Sequence, residues 1–129
     1  MGLGDLTPTT SSYGTDDQTW LGSAHGTDTA DSITLDGDLM LEVFEDGSVP
    51  SGVVLGMVDE TGLYGPYDDG AEDGRDVARG HLFTARSVKA ATPTAGALFW
   101  HGQVIEANLP DDNGLDSGAK ADLTHIHYV

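Results

Sequence analysis

The sequence predicts a mainly β fold: a small, compact β-rich domain with one or two short helices, preceded by an extended N-terminal arm. Three observations carry this. From residue 32 onward, short runs of alternating apolar and polar residues recur, each ended by a turn signal. Eighteen glycines in 129 residues, about twice the usual share, suit many tight turns. Residues 1–31 show neither a helical nor a strand period, and their composition is too poor in apolar groups to offset the entropy of ordering alone.

Gly, Ser, Thr and Asp dominate that first stretch, yet Leu3, Leu6, Tyr13, Trp20 and Leu21 are spaced along it. Apolar anchors at intervals on a polar segment fit an arm that lies along another protein and orders on binding. The alternative is a tail whose apolar residues are incidental. The chain therefore divides into an arm, residues 1–31, and a domain, residues 32–129.

The domain's elements follow in order. Ile33 and Leu35 alternate with polar neighbours, and Asp36-Gly37 offers a turn. Leu39, Leu41 and Val43 fit one face of a second strand, ended by "EDGSVP". Val53–Asp59 reads as a strand and Glu60-Thr61-Gly62 as its turn. Leu63–Tyr67 is a short extended piece that Pro66 confines to an edge or a strand end. The loop "DDGAEDGRDVARG" contains a helical turn from Arg75 to Arg79 closed by Gly80. His81–Lys89 and Ala97–Leu109 are the longest later strands, with a bulge at Gly102. A loop, a short helix capped by Asp116 or Ser117 and an alternating strand, "HIHYV", close the chain.

Charge excludes whole classes of partner. Twenty-two acids face five bases, a formal −17. Residues 1–74 hold 16 of the acids and no Lys or Arg, while residues 75–129 hold the other 6 and all five bases. Such a surface repels phosphate backbones and anionic membranes, so neither nucleic acid nor membrane is an expected partner. The longest apolar runs, around Val53–Val58 and Ala95–Trp100, fall far short of the ~20 residues a bilayer requires. There is no basic leader with an apolar run, and "MGLGDLT" misses the myristoylation pattern because Leu6 stands where Ser or Thr is needed. Asp outnumbers Glu and only Lys89 and Lys120 are lysines. That composition suits either a protein adapted to very high salt or an acidic protein of an ordinary cell. With no cysteine, disulfides and thiol chemistry are excluded.

Candidate chemistry is sparse. The calcium-loop spacing fails at each acidic cluster: Ala71 stands where the second ligand is needed after Asp69, and Met40 and Leu115 stand where the third is needed after Asp36-x-Asp38 and Asp111-x-Asn113. His125 and His127, two apart in a strand, point to one face but lack a third ligand. No nucleophile elbow, Walker loop or dinucleotide fingerprint occurs. No catalytic residue, metal ligand or cofactor is therefore expected, and the chain reads as no enzyme. The bases are better candidates for assembly. Arg75, Arg79, Arg86 and Lys89 fall within fifteen residues, either balancing local acids or meeting an acidic face of another copy.

The stretch from Gly52 to Tyr67 matches a recognisable pattern, "G-x-V-x-G-x-x-x-x-T-G-x-Y-x-P-Y", carried by Gly52, Val54, Gly56, Thr61, Gly62, Tyr64, Pro66 and Tyr67. Asp73-Gly74-Arg75 and Ala78-Arg79-Gly80 follow it, and the chain ends through "HGQVIEANLP" and "GAKADLTHIHYV". In these features residues 32–129 resemble the head decoration protein family of tailed viruses, the phage-lambda type. The resemblance implies a β-tulip or barrel-like domain that assembles as homotrimers on the outer surface of an icosahedral virion and cements the expanded shell. It implies the major capsid protein as partner, contacted by the arm residues Leu3, Leu6, Tyr13, Trp20 and Leu21. Tyr64, Tyr67, Arg75, Arg79, Arg86 and Lys89 are then candidates for the trimer interface. Two other functions suit parts of the sequence: an acidic DNA mimic that titrates a basic protein, and a small metal-dependent hydrolase using His125 and His127.

Overall fold

Five strands close into a barrel in the computed structural model, which describes residues 16–129. In chain order the elements are β1 (Asp31–Leu35), α1 (Gly37–Leu41), β2 (Ser48–Val49), β3 (Val54–Met57), β4 (Tyr64–Pro66), β5 (Ala78–Leu82), β6 (Arg86–Ser87), β7 (Thr94–Phe99), β8 (Gly102–Val104), α2 (Ser117–Asp122) and β9 (Ile126–Tyr128). The fold is mainly β, with nine strands and two short α-helices among the described residues. The barrel runs β1-β4-β3-β5-β7, and β7 returns to β1 through five antiparallel pairs from Asp31↔Leu98 to Leu35↔Thr94. β1 meets β4 in parallel at Leu35↔Tyr64. Closure leaves the barrel without the unpaired edges that an open sheet must protect. Two small sheets flank it: β2 with β6, antiparallel, and β8 with β9, parallel.

The barrel wall separates two apolar cores because successive strand residues face opposite sides. Val53 and Leu55 join Leu35, Met40, Phe44, Val49, Leu82, Val88 and Leu98 in one. Val54, between them in sequence, joins Trp20, Tyr67, Phe99, Val104, Leu123 and Ile126 in the other. The same alternation sends Leu98 and Phe99 to different cores.

The expected strand through Leu39, Leu41 and Val43 is instead helix α1. Asp36 is its N-cap, with Oδ1 accepting the Leu39 N–H at 3.1 Å. The helix buries Met40, and Phe44, four residues on and past its end, enters the same core, while Val43 stays exposed. In so short a run the two periods are indistinguishable by apolar residues alone, and the cap decides between them. The expected helical turn from Arg75 to Arg79 is absent. β5 already begins at Ala78, and Gly80 pairs with Leu55 within it. Each long later strand is broken in two. The chain leaves the barrel after Leu82 and pairs β6 with β2; it leaves again after Phe99, turning at Trp100-His101 so that β8 pairs with β9.

Residues 16–31 also belong to the fold, contrary to a domain boundary at residue 31. Trp20 is wholly buried. Its Nε1–H donates to Ser51 Oγ at 3.0 Å, and its carbonyl accepts the Ile105 N–H at 2.6 Å. Leu21 bridges Val104, and the Gly22 N–H donates to the Gln103 carbonyl. Residues 20–22 have no period of their own because they are held by these single long-range contacts rather than by a regular element.

Candidate functional site

The five proposed arm anchors fall into two groups. Leu3, Leu6 and Tyr13 lie outside the described residues. Trp20 and Leu21 do not act as free anchors: Trp20 is a core residue, and Leu21 is half-buried against the same core. An indole packed among Val54, Phe99 and Val104 would have to be extracted from its own domain before reaching a partner. Trp20 lies 5.6 Å from His81, nearly parallel to it, and 5.4 Å from Phe99, edge to face.

Two buried polar residues beneath this indole escaped the sequence reading, Ser51 and His81. Ser51 accepts from Trp20 and donates to the Phe83 carbonyl at 2.7 Å. His81 donates Nδ1–H to the Gly52 carbonyl at 2.7 Å, since that carbonyl can only accept, and Nε2 accepts the Tyr128 hydroxyl at 2.7 Å. Burial lowers the His81 imidazole to about 4, against a smaller upward pull from the Gly52 carbonyl. Burial raises the Tyr128 phenol, with Glu106 adding to the effect. Serine and histidine each spend their polar atoms on other partners, so they are not arranged as a nucleophile and its base. Gly52 is required at its corner: its φ is 104°, and a Cβ there would lie 2.8 Å from Pro110 Cδ and 3.1 Å from Trp20 Nε1.

The proposed trimer residues separate by exposure. Tyr67 is buried in its own core, so it offers no surface to a neighbour. Its hydroxyl donates to Asp116 Oδ1 at 3.0 Å, and burial, then Asp116, raises the phenol. Tyr64 is half-buried against the core that holds Leu35 and Leu55. Arg75 turns onto its own loop: Nε lies 3.0 Å from Asp73 Oδ2, and Nη1 donates to the Pro66 carbonyl at 3.3 Å. The Arg75 backbone N–H, and then its guanidinium, hold Asp73 below the usual carboxylate range. Arg79, Arg86 and Lys89 are exposed. They do not share one depression: Arg79 lines a hollow with Trp100 and His125, and Arg86 lines a larger groove with Val43 and Pro110.

The histidines are grouped differently from the sequence expectation. His125 meets His101 edge to face, with ring centres 6.1 Å apart, and His101 meets His25 at 4.7 Å. Trp100 stacks on His101 and donates its Nε1–H to the Thr29 carbonyl. His127 lies past buried Ile126 and is exposed. Among the described residues, no three His, Asp or Glu side chains are placed to hold a metal ion. No helix among them is long and apolar enough to cross a membrane.

The class defined by this geometry is a closed β-barrel domain with two cores, two separate hydrogen-bonded pairs, Trp20–Ser51 and His81–Tyr128, brought together by the stacking of Trp20 on His81, and an N-terminal stretch laced through it. Scanned against known families and curated proteins, the chain matches no family model and no curated protein.

Proposed function

We propose that this chain is a virion structural protein: a capsid decoration protein that sits on the outer surface of a tailed-virus head as homotrimers and stabilises the expanded shell. The supporting observation is where the recognisable pattern falls. Gly52 makes the corner before β3, Gly56 lets Arg75 approach (a Cβ would lie 2.7 Å from Arg75 Cα), Gly62 turns at φ 73°, and Tyr67 enters the core. The motif thus shapes a scaffold, and a cementing protein needs a scaffold, a self-complementary surface and an attachment to the shell.

In this reading the major capsid protein is the partner, residues 1–15 make the attachment, and Arg79, Arg86 and Lys89 remain the candidates for contacts between subunits. Main-chain pairing gives a Gly/Ser/Thr-rich segment a way to bind without particular side chains. Many trimers on one shell allow each contact to be weak. The acidic exterior keeps particles apart.

The test is mechanical. Heads lacking the protein should leak DNA at a lower temperature, and adding it back should restore them. Removal of residues 2–15, stopping short of Trp20, should abolish coating of heads while the melting transition of the domain persists. Full occupancy by the shortened chain would overturn the attachment.

A further inference from the structure

We infer that the groove beside Arg86 is the docking site of the chain's own residues 1–15. The groove has a volume of about 710 Å³ and opens between the segment after α1, β2, β6 and residues 110–112. Val43, Phe44, Val49 and Pro110 give it an apolar lining, and Val43 leaves 43% of its surface uncovered. Glu45, Asp46, Asp111 and Asp112 supply carboxylates around it.

The point of departure selects the occupant. Asp16 Oδ1 accepts the Ala85 N–H at 3.2 Å, and Gln18 Nε2 donates to the Phe83 carbonyl at 2.6 Å. Ala85 and Arg86 themselves line the groove. Residues 1–15 therefore leave the domain at the groove's edge. Tyr13 stands three residues before Asp16, about 10 Å of extended chain, and Leu6 a further seven residues, about 25 Å. Both side chains are within reach of the apolar lining.

Charge points the same way. Residues 1–15 hold one acid, Asp5, and no base, while residues 16–129 hold the other 21 acids. A nearly neutral segment enters an acid-lined groove without the repulsion that an acidic stretch of another molecule meets there. β2 and β6 also have one ladder partner each among the described residues, so an extended segment has a strand edge to join.

This docking stands whether or not the chain decorates a shell. If it does, the groove stores the attachment segment, and the fraction left undocked sets the apparent affinity for the shell.

The chain has no cysteine, so Ser11→Cys creates a single attachment point for a nitroxide label on the full-length protein. In a uniformly ¹⁵N-labelled chain, the amide signals of Glu45, Ser48 and Ser87 should lose at least half their intensity relative to the reduced label. Tyr13→Ser in the same labelled chain should restore most of it. Broadening confined to residues next to Asp16 and Ala85 would overturn the proposal. So would equal broadening when unlabelled-nitrogen chains carry the nitroxide and ¹⁵N chains do not, because the groove then receives a segment from a second copy.

Discussion

The Tyr128 hydroxyl lies 2.7 Å from Nε2 of His81, tying the last strand to the barrel wall through a buried imidazole that must stay neutral. Its pKa, about 4 in the fold, lies below the ordinary ~6.5. The unfolded chain therefore binds a proton that the native state refuses between those values. Stability contributed by His81 is complete above about pH 6.5 and is lost as pH falls toward 4, amounting to about 2 kcal/mol by pH 5. Denaturant titrations of wild type and His81→Gln at several pH values check this. The difference between them should shrink on acidification; a pH-independent difference would contradict a neutral buried ring.

Trp20 separates a core role from an arm role. Trp20→Ala should destabilise the isolated protein by about 3–5 kcal/mol, as removal of a large buried aromatic does, and should lower the denaturant midpoint accordingly. A change within about 0.5 kcal/mol, typical of surface positions, would return Trp20 to the arm.

Asp116 has two partners. Oδ1 accepts the Ala119 N–H at 2.8 Å, capping α2, and the Tyr67 hydroxyl at 3.0 Å. Asp116→Ala should cost more than the ~1 kcal/mol of a simple N-cap, and more than Asp36→Ala, whose carboxylate caps α1 alone. Asp116→Asn keeps the shape but removes the charge. Ultraviolet titration should then show one tyrosine ionising at lower pH, still raised by burial.

Assembly should depend on the exposed bases and not on Arg75. Arg86→Glu or Arg79→Glu should shift sedimentation toward the monomer. Arg75→Glu, which breaks an ion pair within its own loop, should act on stability first. Unchanged assembly in both exposed variants would remove these bases from the interface.

Self-repulsion at −17 gives a further expectation. Among the described residues only Arg75–Asp73 and Lys120–Glu106 form ion pairs, so salt has much repulsion and little attraction to screen. The melting temperature should rise as salt is raised toward the molar range, and a fall would contradict the charge argument.

The strand character of residues 32–129 was legible because turns and alternation leave local marks. Pro66 ends β4, Asp116 immediately precedes α2, and Gly62, at φ 73°, turns the chain two residues before β4. α1 was not legible, since Leu39, Leu41 and Val43 carry a strand period while the deciding signal is one Asp36 side chain. Barrel closure depends on β7 meeting β1 some sixty residues away in sequence, and nothing local encodes that. Trp20 in the core was hidden for a related reason: its neighbours are polar, and its partners Ser51, His81 and Phe99 are distant in sequence. His101 and His25 were likewise invisible as neighbours of His125, which sequence spacing had paired with His127 instead.

The lacing of residues 16–22 has a tensile consequence. A pull on residues 1–15 reaches the Asp16–Ala85, Gln18–Phe83 and Trp20–Ile105 hydrogen bonds in turn. Beyond them it meets an indole set in the core it shares with Val54, Phe99 and Val104. Force entering at that end is spread over 83–85, 51 and 103–105 before any strand is peeled, so the tether should hold until the domain itself gives way.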